Sequence, residues 1–207
     1  MQPLLILFAK APGPGRVKTR LQSILTADEA CALHEAFVED TLALLATLAL
    51  PIELHLDQPS ARWPADRLQT QGNLGDRMLH ALDGALSRGH SPVAIVGSDA
   101  PDLPPSHLLE LLASPADVTL GPADDGGYYA IVCQRTHPLM FARVRWSSST
   151  ALADTMLACQ ACGLSVARGP LWHDVDEPAD LNRLVNPGPR TQAWLAAWGR
   201  RRETRPA

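Results

Sequence analysis

Short, uninterrupted apolar runs recur along the chain, separated by longer stretches in which apolar residues return every three or four positions. The runs at 3–9 and 93–96 lack polar alternation, which predicts strands buried on both faces of a parallel sheet. Alternation over 52–56 predicts a third strand, and apolar segments predict others at 117–121, 128–133 and around 165–167. The order of the segments therefore predicts an α/β fold.

Between these strands, apolar residues recur at intervals of three or four positions, which is typical of helices. A capping box at Thr26–Glu29 opens a long helix that reaches Pro51, and His34, beside acids within it, is expected at the surface. Further helices are predicted after residue 75, over 107–112 and over 151–162. In the last helix Trp194 and Trp198 are four residues apart, so we expect their rings to pack against the domain.

Length and charge limit the possible partners. The chain has 207 residues with 46% hydrophobic content, which predicts one domain over 1–207, with 186–207 forming a C-terminal helix and a basic tail. A formal net charge of −4 argues against nucleic acid or an anionic membrane surface as partner. The sequence shows neither an apolar run long enough for a membrane span nor a leader, which predicts a cytoplasmic protein. The oligomeric state stays open.

Four cysteines are too few and too scattered to form a disulfide framework in a domain of this size. The pair Cys159 and Cys162 has CxxC spacing but lacks a second pair or a histidine partner. Ordinary packing of small thiols is therefore expected.

The loop after the first strand carries the most informative chemistry. Its cations and glycines are Lys10, Arg16, Lys18, Arg20, Gly13 and Gly15. Glycine lets the backbone approach an anion that Lys and Arg neutralise, so phosphate is the expected ligand. The spacing is neither that of a Walker A loop nor GxGxxG, and a solvated surface charge run is the alternative.

Carboxylates follow two predicted strands. Asp99 and Asp102 come directly after the 93–96 run, where α/β sheets bind ligands, and hard oxygen ligands favour Mg²⁺ or Mn²⁺. A turn or cap role for Asp99 is the alternative. Near the C-terminus, Asp174 and Asp176 point the same way on an extended segment. We expect Asp174 to bind metal and Asp176 to cap the helix that Pro178 begins. The alternative is that Asp176 is the metal ligand and Asp174 only accepts hydrogen bonds from nearby amides.

Three further loops combine glycine, acid or hydroxyl groups. Residues 71–75 either let the backbone approach a nucleobase or mark a turn. The five-residue connection 123–127 is longer than a simple hairpin needs, which favours a ligand loop. Segment 146–150 is a hydroxyl-rich helix start that either binds a polar group or only caps.

Four motifs in this order resemble the rSAM/selenodomain-associated transferase family (DUF2064-like), within the nucleotide-diphospho-sugar transferase (GT-A) superfamily. The motifs are FAKAPGPGRVKTRL at 8–21, GSDAPDLP at 97–104, GPADDGGYY at 121–129 and DVDEPADL at 174–181. The family looks like small nucleotidyltransferases such as the guanylyltransferases of cofactor F420 and molybdopterin biosynthesis. Its members are usually labelled glycosyltransferases, which is analogy of fold.

The resemblance implies a three-layer α/β/α sandwich around a mixed, mostly parallel sheet. Matched residue by residue, it implies phosphate binding by Lys10, Arg16, Lys18 and Arg20, metal binding by Asp99, and a second acid at Asp174 or Asp176. Together with the loops described above, it gives the following candidates. Catalysis falls to Asp99, Lys18 and Arg16, and metal binding to Asp99, Asp174 and Asp176. The nucleotide would contact Lys10, Gly13, Gly15, Arg16, Lys18, Arg20, Gln71, Gly72, Gly75 and Ser98. Candidates on the acceptor side are Asp102, Asp125, Gly126, Gly127, Trp146 and Ser147.

The sequence thus favours a metal-dependent transferase that uses an NTP or NDP-sugar donor and passes a nucleotidyl or glycosyl group to a small acceptor. The basic loop suits a triphosphate better than a sugar diphosphate. The spacing Asp99-Ala-Pro-Asp102 departs from the DxD usual in glycosyltransferases of this fold, which weakens the case for sugar transfer. The alternative is a nucleotide-binding sensor or partner subunit without turnover.

Overall fold

Seven strands form a single sheet in the computed structural model, which describes residues 1–203. They are β1 Gln2–Ala9, β2 Ile52–Leu56, β3 Arg67–Leu68, β4 His90–Gly97, β5 Val118–Pro122, β6 Tyr128–Cys133 and β7 Val166–Arg168. Their order across the sheet is β3-β2-β1-β4-β6-β5-β7. All neighbours are parallel except that β6 runs antiparallel to β4 and β5, which confirms the mixed, mostly parallel sheet.

Helices cover both faces of the sheet and complete three layers. They are α1 Ala27–Ala46, α2 Leu74–Ser87, α3 Pro105–Ala113, α4 Ala151–Ala161 and α5 Pro189–Glu203, with 3₁₀ turns at Thr19–Ser23 and Pro178–Arg183. Helices α2 and α4 pack on one face, while α1 and α3 pack on the other and α5 lies against α1. Within residues 1–203 no helix is long and apolar enough to cross a membrane.

The continuous apolar runs are explained by burial on both faces. In β1, Leu4 and Ile6 join the core beneath α2 and α4, whereas Leu5 and Leu7 join the core beneath α1 and α3. Side chains of a strand alternate between the faces, so a strand covered twice must be apolar at every position.

Helix starts largely follow their predicted signals. The capping box Thr26–Glu29 is present at α1, and a second one, Asn73–Asp76, starts α2. Trp194 and Trp198 stack at 5.8 Å and pack against the cluster around Phe37, which confirms the predicted aromatic face. The end of the predicted basic tail, 204–207, lies outside the described residues.

The chain order places a crevice between β1 and β4. From β1 the chain moves outward to β2 and β3, then returns to β4 on the other side of β1. Phe8 and Gly97 are register partners near the carboxyl ends of these two strands. A reversal of strand order of this kind opens a crevice at the carboxyl edge, where ligands of open α/β sheets bind.

Candidate functional site

The ammonium group of Lys18 contacts two of the predicted motifs, the one that follows β4 and the one near 174–176. Its Nζ is 2.5 Å from Asp99 Oδ1 and 3.0 Å from Asp176 Oδ1, and it donates to the Val175 carbonyl at 2.6 Å. The three partners come from the loop after β4 and from the segment after β7. The structure thus brings together the basic loop and both acid motifs.

Local backbone geometry directs Lys18 inward. The residue has a left-handed φ of 46° just before the 3₁₀ turn Thr19–Ser23. Its Nζ lies 5.3 Å from the ring centroid of Phe37, a core residue of α1. The side chain is only 4% exposed, whereas those of Asp99 and Asp176 are 44% and 43% exposed. The ammonium is therefore enclosed, and both carboxylates remain open to solvent.

The segment 172–176 crosses from the end of β5 to the end of β4. Trp172 donates its backbone N–H to Pro122 O at 3.0 Å, and Val175 donates to Asp99 O at 2.8 Å. These backbone bonds fix Asp174 and Asp176 opposite Asp99, although more than 70 positions separate them in the chain.

The pKa shifts reflect an excess of acid around one cation. Burial alone would lower the pKa of Lys18, but Asp99 and Asp176 outweigh it and raise that pKa. Partial loss of solvation opposes ionisation of Asp99, yet Lys18 holds its pKa below the usual range. Burial, followed by the charges of Asp99 and Asp125, raises the pKa of Asp174 to about 8. A further cation would relieve this excess.

The other cations of the basic loop are more exposed. Arg16 Nη2 lies 3.4 Å from Asp57 Oδ2, and the other oxygen of Asp57 accepts from Ala11 N at 2.7 Å. Arg20 reaches Asp176 only at 3.9 Å. Asp57, which directly follows β2, was missed by the sequence analysis because its partner Arg16 is 41 positions away in the chain.

The glycines of this loop shape its turn. Gly13 O accepts from Arg16 N at 3.0 Å, and Gly15 has a φ of 77°, in the left-handed region. The carbonyl of Lys10 is 2.9 Å from Nε2 of His34. His34 is only 3% exposed, so its predicted surface position is wrong. Burial lowers the pKa of His34, and the ring supports the loop from within α1.

Residues 71–75 lead into α2 beside the carboxyl end of β1. Gln71 and Gly72 are exposed, whereas Gly75 is buried so tightly that a Cβ would lie 2.9 Å from the Trp146 ring. Gln69, which sequence reasoning missed, donates to Ala9 O at 3.2 Å and to His55 O at 3.1 Å. Its side-chain oxygen accepts from Arg77 at 2.9 Å, so one amide links β1, β2 and α2.

The connection 123–127 faces the crevice from the β5–β6 side. Asp125 accepts from Gly127 N at 2.7 Å, and its charge acts on Asp174. Gly126 has a φ of 89° and approaches the backbone of Ser149. Its carbonyl accepts from Leu152 N at 2.9 Å, which occupies an amide at the start of α4.

Segment 146–150 lies beside this connection. Trp146 packs on Tyr128 and Phe141 at centroid distances of 6.5 and 5.8 Å. Ser147 has a φ of 57°, and Thr150 is the N-cap residue of α4, without a side-chain capping bond. The expected hydroxyl cap is therefore not formed by Thr150.

Two predicted residues are buried instead of facing a ligand. The Asp102 side chain is fully enclosed and accepts from Trp172 Nε1 at 3.2 Å and Val185 N at 2.8 Å. These bonds hold the 172–176 segment in place. Ser98, beside Asp99, is also buried.

The predicted cap at Asp176 is wrong. Glu177 is the N-cap residue of the turn that Pro178 begins, and Asp180 Oδ2 accepts from the backbone N–H groups of Asp176 and Glu177. The carboxylate of Asp176 is instead directed to Lys18. The contact with Lys18, 158 positions away, therefore outweighs the tendency of Asp176 to cap the adjacent turn.

Side chains alone do not form a metal site in the described part of the chain. Among residues 1–203, no group of three or more His, Cys, Asp or Glu side chains is placed to hold a metal ion. Around Lys18, two carboxylates and a backbone carbonyl converge instead.

The cysteines are free thiols. Three are buried and one is partly buried, in agreement with the expected packing role: Cys31, Cys133 and Cys159, and Cys162 respectively.

Comparison with known proteins identifies the family. Residues 41–148 match the family model described as "Uncharacterized protein conserved in bacteria (DUF2064)". The chain is 32% identical over 186 residues to a protein of Halomicrobium mukohataei named 2-phospho-L-lactate guanylyltransferase, covering 88% of this chain and 87% of that one. A protein of the same name from Methanocella arvoryzae is 33% identical over 171 residues, covering 81% and 74%.

Solved structures show the same fold. A candidate nucleotide-diphospho-sugar transferase from Desulfovibrio desulfuricans has a TM-score of 0.83 and 30% identity, covering 95% of both chains. A CMP:2-keto-3-deoxy-manno-octonic acid synthetase complexed with CTP has a TM-score of 0.58 at 11% identity, covering 95% of this chain and 99% of that one. The chain belongs to the DUF2064 family and has the nucleotide-diphospho-sugar transferase fold. The radical-SAM and selenodomain association stays a prediction.

Proposed function

We propose that this member of the DUF2064 family is a metal-dependent nucleotidyltransferase that uses a nucleoside triphosphate and a small acceptor. The observation that carries the proposal is the convergence of the basic loop and both acid motifs on Lys18, at the carboxyl ends of β1 and β4. Relatives that cover most of the chain are named guanylyltransferases, which supports an NTP donor.

The phosphates would lie along the basic loop. Lys10, Arg16 and Arg20 are the cations with exposed side chains there, and Arg16 can exchange Asp57, at 3.4 Å, for a phosphate oxygen. Charge-assisted bonds to phosphate from Lys and Arg are among the strongest hydrogen bonds in proteins. Gly13 and Gly15 let the backbone come close, and the base would lie over 71–75.

The two carboxylates and the carbonyl around Lys18 offer oxygen atoms of the kind that a hard divalent cation binds, with Asp174 nearby. Asp99 and Asp176 are open to solvent, Asp174 stands beside them with a raised pKa, and the Val175 carbonyl adds a neutral oxygen. Oxygen ligands of this kind suit Mg²⁺ and Mn²⁺. When bound, the metal would neutralise charge that builds up on the phosphate oxygens.

The reaction would join the acceptor to the α-phosphorus. An acceptor oxygen forms a bond to that phosphorus while the bond to the α–β bridging oxygen breaks and pyrophosphate leaves. The chain contributes by holding the leaving phosphates with its cations and by orienting the acceptor between 123–127 and 146–150. Asp125, Gly126, Gly127, Trp146 and Ser147 would form that wall. Asp102 has no part in it, because its carboxylate is enclosed.

A second candidate, sugar transfer from an NDP-sugar, is favoured by the description of the Desulfovibrio relative. The protein should be incubated with Mg²⁺, each NTP and small phosphorylated acids that include 2-phospho-L-lactate, and in parallel with NDP-sugars. Acceptor-dependent pyrophosphate release is the expected result. Release of nucleoside diphosphate instead would support sugar transfer, and calorimetric binding without either product would support a sensor.

A further inference from the structure

Lys18 has no free hydrogen-bond donor for a phosphate. An ammonium group has three N–H bonds, and Asp99, Val175 and Asp176 offer three acceptors between 2.5 and 3.0 Å from Nζ. A phosphate oxygen can bond Lys18 only after one of these contacts breaks. The arrangement therefore conflicts with a permanent phosphate-binding role for this residue.

The same three acceptors resemble the ligands of a divalent cation. Two carboxylate oxygens and one backbone carbonyl oxygen converge on a single point, and hard cations take such oxygens at about 2.0–2.6 Å. Asp99 and Asp176 are each more than two-fifths exposed, so a cation can approach them from the solvent side. Lys18 thus occupies a site that could accept a metal after small inward movements.

We propose that Lys18 is the resident cation of this three-oxygen site in the nucleotide-free protein, and that a divalent metal entering with the nucleotide displaces it towards the phosphates. The inference rests on the proposed function, whose regulation it describes. It implies that metal binds weakly without nucleotide and that metal and nucleotide bind together.

Electrostatics supports such an exchange. Asp99 and Asp176 keep a counter-charge at every stage, because one cation leaves only as another enters. The four-carbon stem of lysine allows its ammonium to turn without moving the backbone, and a nucleoside triphosphate supplies new acceptors. A lysine with a purely structural role would instead be needed equally in both states.

The decisive variant is Lys18→Met, which keeps the apolar stem and removes the ammonium. Mn²⁺ binding to nucleotide-free protein, measured by electron paramagnetic resonance, should become about tenfold tighter, because a competing charge within 3 Å is lost. Affinity for NTP in the presence of Mg²⁺ should fall about tenfold, since the displaced ammonium no longer meets the phosphates. A merely structural lysine would weaken both kinds of binding.

Lys10→Met is the matched control. It removes the same charge from the same loop, and Lys10 influences the pKa of Asp99, but within residues 1–203 the exposed Lys10 side chain makes no hydrogen bond or ion pair with Asp99. Its Mn²⁺ affinity should change less than about threefold. Equal tightening in both variants would mean that only the net charge matters, which would overturn the proposal.

Unchanged or weaker Mn²⁺ binding in Lys18→Met would also overturn it. Thermal melts check that the variant folds, and Lys18→Gln, which keeps a neutral donor, repeats the test if it does not. The parent protein separates this inference from the proposed function. If the parent protein releases pyrophosphate but Lys18→Met does not bind Mn²⁺ more tightly, only the inference is rejected. If Lys18→Met binds Mn²⁺ more tightly but the parent protein releases no pyrophosphate, only the proposed function is rejected.

Discussion

Replacing Gly126 by alanine tests whether 123–127 and 146–150 form one rigid wall. The φ of Gly126 is 89°, and an added Cβ would lie 2.0 Å from the Ser149 carbonyl oxygen. Because that atom belongs to backbone, the clash cannot be relieved by turning a side chain. The Gly126 carbonyl also accepts from Leu152 N at 2.9 Å, so movement of the loop would disturb the start of α4.

Two separate effects lower the free energy of unfolding in Gly126→Ala, and they add. Left-handed backbone costs alanine about 1–2 kcal/mol, and an extra buried methyl in a tight contact costs about 1–3 kcal/mol more. Gly163, with a φ of 75° and no atom within 4 Å of an added Cβ, carries the first cost alone. Urea unfolding should therefore show a loss of roughly 2–5 kcal/mol for Gly126→Ala and about 1–2 kcal/mol for Gly163→Ala.

The activity of Gly126→Ala should change in one respect. The KM for the acceptor should rise, while NTP affinity in Mg²⁺ stays near that of the parent, because the basic loop that would hold the phosphates lies on another element. Equal destabilisation by the two alanines would refute the rigid contact between the loops. An equal loss of NTP and acceptor binding would refute the division into donor and acceptor sides.

Three further substitutions test the carboxylates and the basic loop of the site. Asp99→Asn should lower Mg²⁺-dependent nucleotide affinity at least about tenfold, with affinity in EDTA nearly unchanged by calorimetry. Arg16→Ala should weaken triphosphate binding about tenfold more than monophosphate binding, the value of one charge-assisted bond. Asp174→Asn should stabilise the metal-free protein increasingly from pH 5 to pH 8, because a carboxyl whose pKa is raised to about 8 costs stability as pH rises above its unfolded value. The gain, about 1–3 kcal/mol after allowance for its partial exposure, is read from urea unfolding, and parallel pH profiles would contradict it.

The sequence was most informative where local patterns and burial agree. Continuous apolar runs located β1 and β4, and the capping box at Thr26 located the start of α1. The two-residue strand β3 escaped prediction because Arg67 and Leu68 are exposed and carry no apolar pattern. The motifs also indicated which loops meet at the crevice.

Partners distant in the chain could not be predicted. Asp176 precedes a proline like a helix cap, and only the fold brings Lys18 within 3.0 Å of it. His34 lies among acids in the sequence, yet its side chain is buried and contacts the Lys10 carbonyl. For Asp176 the tertiary contact outweighs a local capping preference of about 1 kcal/mol.

The reversed strand β6 explains how one edge of the sheet can serve two substrates. Because β6 runs antiparallel to β4 and β5, its first residue, Tyr128, lies at the edge where those strands end. The short connection 123–127 therefore stays at the same edge as Asp99, whereas a parallel strand would need a long crossover to the opposite edge. The segment 172–176 then bridges the two halves, bonding to Pro122 on one side and to Asp99 on the other. A donor bound over β1 and β4 would thus meet an acceptor held over β5 and β6 beside Asp174.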